Sequence, residues 1–334
     1  MKKTTLIYGG GAMGSFLAAC LYKSNHKIFF LCRGKNYQKI KKSGLKINVF
    51  NNKKILSKFH IHQNDNFIVI NSLNKVRNIF FNNIFITTKI TSNLEKIFLN
   101  IEKFINNKTL IITPCTSIPF WWFLCLDDHY VTLFKKKTKN IFLKNIKRKN
   151  LVGMTMWLSG KILKPGEVII KHIQRGFPIK EVFLKNKIRV RKLRKDINKI
   201  CVSPNVNNIF SEIFIKSINS LAFNLIALKY NQNNFQLKNN KKARREILDI
   251  LNEGDYVLKK NKIKIYQTPI SRITQTLKST AHTMSMLNAY KMNKKIELKE
   301  LWKSFEETIN ILKIKMEKTK NHYNFVKKKV YESF

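Results

Sequence analysis

A run of glycines placed directly after an apolar segment most constrains how this chain can fold. Residues 5–8 have the composition of a buried strand, residues 15–22 that of a helix, and residues 27–32 that of a second strand. Between the first strand and the helix lie Gly9, Gly10, Gly11, Ala12, Met13 and Gly14. A G-x-G-x-x-G pattern in this position is typical of a dinucleotide-binding βαβ unit.

We expect all six residues of this loop to contact a dinucleotide cofactor. Gly9 permits a tight turn, Gly11 lets the pyrophosphate approach the backbone, and Gly14 lets the helix pack closely on the strand. The N-terminus of the helix adds free N–H groups and a partial positive charge, and both favour phosphate.

The end of the second strand indicates which dinucleotide is bound. NAD enzymes usually place Asp or Glu there, about 20 residues after the glycines, to accept a hydrogen bond from the ribose 2′-hydroxyl. Here the strand ends in Cys32-Arg33-Gly34-Lys35, with no carboxylate. Arg33 can make a forked contact with a 2′-phosphate, although it can also be one more surface cation. The missing acid favours NADP(H).

The first half continues with further strand-like runs, as expected for a mostly parallel sheet with ligands at the carboxyl ends of its strands. Lys89 follows one of these runs, where its charge can reach the cofactor. The runs are residues 67–70, 84–88, 110–112, 151–157 and 167–170.

The second half has helical spacing, which predicts helices near 209–229, 241–260, 267–288 and 297–319. We therefore predict an α/β protein with an N-terminal Rossmann-type dinucleotide-binding domain, residues 1–205, and a C-terminal all-helical domain, residues 206–334. Substrate sites usually lie in the cleft between two such domains.

Three polar residues share one face of the first predicted helix. Lys216, Ser220 and Asn224 are spaced i, i+4, i+8 among apolar neighbours. Such a lysine either extends its amine to solvent or lines a wet cleft. In a cleft, desolvation would lower its pKa and suit it to donate a proton near neutrality. These residues alone leave both readings open.

The charge is strongly positive, since 65 Lys and Arg against 19 Asp and Glu give +46. Such a charge attracts polyanions, nucleic acid included. However, lysines occur in every segment, and no aromatic residues alternate with them as in single-strand readers. General over-use of AT-rich codons explains this distribution better than nucleic-acid binding.

The remaining composition predicts a cytoplasmic protein without a metal. Five cysteines, an odd number, show neither a CxxC pair nor a disulfide pattern, which favours a reducing compartment. The N-terminal apolar run breaks at once on glycines, unlike a signal peptide, and residues 110–126 contain two prolines, unlike a membrane span. The histidines are scattered, with no ligand cluster. The oligomeric state, monomer or dimer, stays open.

Along nearly the whole chain, several motifs resemble the ketopantoate reductase family in order and spacing. The glycine loop, Arg33 and Lys89 resemble that family's NADP site. The other matching segments are 116–122 (like "NGIPWW"), Pro165-Gly166, 212–216 (like "EIWxK"), Asn224, Asn234, 282–287 (like "HKTSML") and Ile296-Glu297.

The resemblance implies NADPH-dependent reduction of 2-dehydropantoate to (R)-pantoate, in pantothenate biosynthesis, with hydride delivered to the C2 carbonyl. It assigns Lys216 as the proton donor and Glu297 as a second catalytic residue that also contacts the cofactor. Thr116 would join the cofactor site. The implied substrate-binding residues are Lys216, Ser220, Asn224, Asn234 and Ser285.

The chain also departs from the family pattern. Thr116-Ser117 replaces Asn-Gly, Ser220 stands where Asn is usual although Asn219 is adjacent, and Phe214 replaces Trp. Ala289 stands where many members have Asp. These differences bear on the substrate more than on the cofactor. The alternatives are reduction of another 2-oxo acid, or a non-catalytic descendant that binds a nucleotide or a polyanion.

Overall fold

The chain divides into two compact units, seen in a computed structural model that describes residues 2–51, 54–76, 78–89, 94–119, 121–122, 148–182, 187–278 and 282–331. The first, here called the sheet unit, contains the described residues up to Cys115 and from 148 to Ile209. The second, the helical unit, contains the described residues of 116–122 and those from Phe210 onward.

The sheet unit contains all the strands of the described chain and four helices. The strands are β1 Thr4–Tyr8, β2 Lys27–Leu31, β3 Leu45–Asn51, β4 Lys54–Ile61, β5 Phe67–Ile70, β6 Asn83–Ile86, β7 Leu110–Cys115, β8 Leu151–Thr155, β9 Trp157–Lys164, β10 Glu167–Gly176 and β11 Ile179–Glu181. The helices are α1 Ala12–Tyr22, α2 Gly34–Ser43, α3 Leu94–Ile101 and α4 Lys187–Asn198.

A seven-stranded sheet forms the centre of this unit, in the order β11-β8-β7-β6-β1-β2-β5. All neighbours pair in parallel except β11, which is antiparallel to β8. Continuous apolar runs such as Leu6-Ile7-Tyr8 suit this arrangement because a parallel sheet is covered on both faces. The predicted Rossmann-type α/β fold is thus confirmed, with β1, the glycine loop, α1 and β2 in sequence.

A second sheet of four strands, in the order β4-β3-β10-β9, was not predicted. β3 pairs in parallel with β10, more than 100 residues later in the chain, and antiparallel with β4. Leu45, Ile47 and Val49 are buried on alternate positions of β3. Its alternation is a strand signal, but the distant partner cannot be read from local pattern.

The helical unit contains seven described helices around a long central one. They are α5 Ile209–Tyr230, α6 Asn234–Asn239, α7 Lys241–Lys260, α8 Pro269–Leu277, α9 Ser285–Lys291, α10 Leu298–Leu312 and α11 Glu317–Tyr331. By length and composition α5 is the one described helix that could cross a membrane, but most of it is buried within the protein. It is the core helix of this unit.

Two predicted helices are each divided in the structure. Residues 267–288 form α8 and α9, and α8 begins where Thr268 accepts a hydrogen bond from Ser271 N. Residues 297–319 form α10 and the start of α11, because Lys313 adopts a left-handed conformation (φ +52°) that ends α10.

The boundary between the units differs from the predicted one at 205/206 in two ways. The central break falls between Ile209 and Phe210, and the described residues of 116–122 group with the helical unit. The reason is aromatic packing on α5: Trp122 Nε1 donates to Phe210 O (2.9 Å), and the Trp122 ring lies 5.5 Å from that of Phe214.

Candidate functional site

The glycine turn between β1 and α1 is packed so closely that three of its glycines have no room for a side chain. A Cβ on Gly10 would lie 2.3 Å from Cys32 Cβ. Gly9 has φ +128°, and a Cβ there would lie 2.9 Å from the backbone of Thr87 and Thr88. A Cβ on Gly14 would lie 2.1 Å from Gly9 O. These are the tight turn and the close helix–strand contact expected of a dinucleotide loop.

Gly11 lies in the opposite environment, since a Cβ there would meet no atom within 4 Å. It is the N-cap of α1, and its carbonyl accepts from Ser15 N (2.9 Å). Ala12 and Met13 follow in the first turn, half-buried. The backbone at Gly11 is therefore open to a ligand, and the first N–H groups of a helix, which have no intrahelical acceptor, favour a pyrophosphate.

Asn36 fixes the middle of the loop, and sequence reasoning did not identify it. Its amide nitrogen donates to Gly10 O (2.8 Å), and its amide oxygen accepts from Gly166 N (2.7 Å). The Pro165-Gly166 turn of the β9–β10 hairpin thus supports the glycine loop through one side chain.

Two cavities lie beside the loop within the sheet unit. The glycine cavity, of about 440 Å³, is lined by Gly9, Gly10, Cys32, Thr88, Lys96 and Ile97, among others. The Ser72 cavity, of about 390 Å³, is lined by residues 71–74, Leu99, Glu102 and Lys103, among others. Both cavities share Tyr8, Leu31, Arg33 and Asn100.

Arg33 is exposed and lies at the N-cap of α2, two residues after the end of β2. Its presence in both cavities is compatible with the predicted contact to a 2′-phosphate. Lys89 is exposed and follows Thr88 of the glycine cavity. Thr116 is half-buried and belongs to the helical unit.

Tyr8, Asn100 and Glu102 were not predicted as site residues. Tyr8 ends β1, and its hydroxyl accepts from Asn100 Nδ2 (3.4 Å) on α3. Glu102 places a carboxylate in the Ser72 cavity, although the end of β2 carries none. No sequence signal marks them, because the acid lies some 70 positions after Arg33.

Lys216, Ser220 and Asn224 lie on α5 of the helical unit, in the predicted helical spacing. Lys216 and Ser220 are half-buried, whereas Asn224 is 3% exposed. Burial lowers the pKa of Lys216 to about 8, because an apolar surrounding disfavours the charged amine. This is the environment that suits a lysine to exchange a proton near neutrality.

Asn224 connects α5 to α9. Its Nδ2 donates to Ser220 O (2.7 Å), and its Oδ1 accepts from Met286 N (3.0 Å). Ser285, the residue before Met286, is the exposed first residue of α9. The structure thus brings two predicted substrate residues, Asn224 and Ser285, to one place.

Asn234 is fully buried at the start of α6. Its Nδ2 donates to Thr276 O (2.9 Å), and its main-chain N–H donates to His282 O (3.0 Å). Its Oδ1 is buried with no hydrogen-bond partner in the described chain. One half of this amide is structural, and the other half is a buried acceptor with no hydrogen-bond partner among the described residues.

Asn219 does not take the place of an asparagine at 220. It is buried, and its Oδ1 accepts from Arg272 Nη1 (3.4 Å). Arg272 in turn pairs with Asp255 inside the unit. One residue along a helix turns the side chain by about 100°, so Asn219 serves this internal ion pair.

Glu297 is half-buried at the N-cap of α10, and its carbonyl accepts from Leu301 N (3.0 Å). This hydrogen bond fixes the backbone of Glu297 at the start of α10. Of the residues that the structure describes, no three His, Cys, Asp or Glu lie close enough together to hold a metal ion.

Comparison with known proteins gives a family match for part of the chain. Residues 5–114 match the family model described as Ketopantoate reductase PanE/ApbA. No curated protein matches the chain in sequence.

Solved structures match the chain over nearly its full length. The 2-dehydropantoate 2-reductase from Geobacter metallireducens has a TM-score of 0.78 at 14% identity, covering 98% of this chain and 99% of that one. D-mandelate dehydrogenase with NADH and anilino(oxo)acetate has a TM-score of 0.76 at 18% identity, covering 99% and 98%. The 2-dehydropantoate 2-reductase from Methylococcus capsulatus has a TM-score of 0.72 at 15% identity, covering 97% and 96%.

At these identities the structural likeness shows a shared fold. The match of residues 5–114 confirms the resemblance inferred from the motifs, and it covers the glycine loop, Arg33 and Lys89. By sequence, residues 5–114 match the ketopantoate reductase PanE/ApbA family model, and the whole chain shares the fold of the reductases and the dehydrogenase named above.

Proposed function

We propose that this protein is an NADPH-dependent reductase of a 2-oxo acid, with 2-dehydropantoate as its substrate and (R)-pantoate as its product. The observation that carries the proposal is the α5 face of Lys216, Ser220 and Asn224, in a chain that also has an open dinucleotide loop at Gly11. A proton donor and a hydride carrier are the two requirements of carbonyl reduction.

The sheet unit would hold the cofactor through the glycine loop and Arg33. Once bound, NADPH supplies a hydride to C2 of the substrate and leaves as NADP⁺.

Lys216 would donate the proton. Its Nζ–H hydrogen-bonds the carbonyl oxygen and passes a proton to it as negative charge develops, so that the product is a neutral hydroxyl. With a pKa of about 8, the amine is mostly protonated at pH 7 and is a stronger acid than an exposed lysine.

The other predicted residues would position the substrate. Ser285 would donate to its carboxylate, and Glu297 would orient its hydroxyl. Asn224 acts chiefly by holding Met286 N, and through it Ser285. Asn234 would contribute its unpaired Oδ1.

The same proposal assigns the protein to pantothenate biosynthesis in the cytoplasm. Cys20, Cys32 and Cys201 are free and buried thiols. Burial raises the pKa of the Cys32 and Cys201 thiols to about 12, which keeps them protonated and unreactive.

A second candidate is an NADP-linked reductase of a different 2-oxo acid. The fold is shared with D-mandelate dehydrogenase, whose structure holds NADH and anilino(oxo)acetate. Thr116, Ser117 and Ser220 also depart from the family pattern on the substrate side.

The experiment is NADPH oxidation by the purified protein after addition of 2-dehydropantoate, with NADH and a panel of 2-oxo acids in parallel. Turnover specific to NADPH and 2-dehydropantoate supports the proposal. Turnover with another 2-oxo acid supports the second candidate. Bound NADPH without any turnover would show that the chain kept its cofactor site and lost its reaction.

A further inference from the structure

One side of α3 and its continuation carries polar groups toward the cofactor cavities. Lys96, Asn100 and Lys103 are spaced i, i+4, i+7, and the last belongs to the 3₁₀ turn Glu102–Phe104 that extends α3. Phe98 and Ile101 are fully buried against the sheet unit. This packing fixes which side of the helix the two lysines occupy.

The two lysines lie in different cavities. Lys96 lines the glycine cavity together with Gly10 and Thr88. Lys103 lines the Ser72 cavity together with Ser72 and Arg33. Asn100 lines both, and its bond to the Tyr8 hydroxyl ties α3 to the end of β1 (3.4 Å).

The glycine cavity lies where a pyrophosphate would bind, at the loop of Gly9 and Gly10. The Ser72 cavity lies further along, past Arg33, where the adenosine half would follow. Leu99 lines that cavity and is 53% exposed. An adenine ring would cover this apolar surface, which is otherwise in water.

We propose that α3 forms a second phosphate-binding wall, with Lys96 contacting the pyrophosphate and Lys103 contacting the 2′-phosphate beside Arg33. The proposal rests on NADPH being the cofactor. It extends the recognition of the 2′-phosphate from Arg33 to a helix that begins some 60 positions later.

The charges in the Ser72 cavity explain why Lys103 would be needed. Arg33 is accompanied there by Glu102. A carboxylate at this place favours the 2′-hydroxyl of NADH and repels the 2′-phosphate of NADPH. The positive charge of Lys103 cancels the negative charge of Glu102. The charge of Arg33 then leaves the cavity with a net positive charge for the phosphate. Without Lys103, the cavity would be neutral.

The experiment measures the dissociation constants of NADPH and NADH by fluorescence titration of the full-length protein at one fixed salt concentration. The variants are Lys103→Gln, Lys96→Gln and the control Lys42→Gln. Lys42 is exposed on α2 and lines neither cavity. All three variants remove one positive charge, so the control reports the effect of net charge alone.

The Lys103→Gln variant is expected to weaken NADPH about tenfold, the loss of one charged contact, and NADH by less than about twofold. The Lys96→Gln variant is expected to weaken both nucleotides by a similar factor, because both contain the pyrophosphate. Equal losses of NADPH and NADH in Lys103→Gln, or losses no larger than in Lys42→Gln, overturn the proposal.

Different results would contradict the proposed function and the proposed role of Lys103. If the wild-type protein binds neither nucleotide, the proposed function and this inference are both wrong. If the wild-type protein binds NADPH in preference to NADH but Lys103→Gln behaves like Lys42→Gln, only the role of Lys103 is wrong.

Discussion

Lys216 is a cation on a helix whose neighbouring residues are almost all apolar. Ile213, Phe214 and Ile218 are buried around it, so that its amine is partly removed from water. Burial lowers its pKa to about 8. The lysine therefore changes its charge in a pH range in which turnover can be assayed, and this gives a direct test of its proposed role.

We expect the Lys216→Ala variant to lose turnover by about 10²–10⁴-fold, the usual contribution of a general acid, with NADPH binding nearly unchanged. A proton donor must be protonated, so kcat/KM of the wild-type protein should fall as the pH rises through about 8. The measurement is a pH–rate profile with saturating NADPH. A wild-type rate that stays flat from pH 6.5 to roughly 9.5 would remove Lys216 from this role.

Arg33 is a test of cofactor identity at a single residue. We expect Arg33→Ala to weaken NADPH about tenfold or more and NADH much less, because in the proposed function the guanidinium would pair with the 2′-phosphate that NADH lacks. Titration of both nucleotides checks this. Equal losses would show that Arg33 does not distinguish them.

At the residue scale the sequence indicated some site groups and not others. Gly9 and Gly14 are readable because their role depends on the backbone and on the absence of a side chain. Asn36 and Lys103 are not readable, since each acts through a partner far along the chain. Lys103 is moreover one of 65 basic residues, and only its place in a cavity distinguishes it.

In the βαβ element at the start of the chain, two glycines are present for different reasons. Gly14 is required by the fold, because a Cβ there would collide with Gly9 O and Thr87 Oγ1. Gly11 is not required by the fold, because its backbone angles suit any residue (φ −75°, ψ −179°) and no atom lies near its missing Cβ. The close approach of a phosphate to the backbone would explain a glycine here.

We therefore expect Gly11→Ala to keep the melting temperature of the unliganded protein but to lose NADPH affinity by tenfold or more, as about 1.4 kcal/mol of lost contact would give. Gly14→Ala is the matched comparison, and it should lower the melting temperature. Thermal unfolding with and without NADPH measures both effects. A Gly11→Ala protein that binds NADPH normally would show that the loop does not approach a phosphate at this point.

At the scale of elements, local pattern predicted what elements exist better than where they end or what they pair with. The apolar runs of β1, β2 and β5 and the long helix α5 were all predicted. The end of α10 was not, because Lys313 is not a residue type that marks a left-handed turn. Nor was the pairing of β3 with β10, which joins residues far apart in the chain.

At the scale of the whole molecule, the dominant quantity is a net charge of +46. Three of the 19 acids form ion pairs that are at least partly buried: Asp196 binds Lys3, Glu246 binds Lys229, and Asp255 binds Arg272. Because 65 basic residues stand against 19 acidic ones, most of the positive charges cannot be neutralised by a carboxylate. Such an excess repels itself and destabilises the compact state, and it also attracts any anion, NADPH included.

We expect added salt to raise the melting temperature of this protein and to lower its affinity for NADPH. Raising KCl from about 0.01 M to about 0.15 M shortens the Debye length from roughly 30 Å to roughly 8 Å, which screens the repulsion among distant lysines. The melting temperature of the unliganded protein should therefore rise, by roughly 1.5 °C for each kcal/mol gained. The affinity for NADPH should fall over the same range, because its phosphates lose the long-range attraction.

The control for the salt experiment is an uncharged osmolyte such as sucrose at matched osmolality. Sucrose also raises the melting temperature, but it does not screen charge, so it should leave NADPH affinity unchanged. A melting temperature that falls with KCl would mean that ion pairs stabilise the fold more than the excess charge destabilises it. If KCl lowers NADPH affinity as much in Lys42→Gln and Lys103→Gln as in the wild type, the attraction comes from the summed charge of the molecule. If KCl no longer lowers NADPH affinity in Lys103→Gln, the attraction comes from the Ser72 cavity.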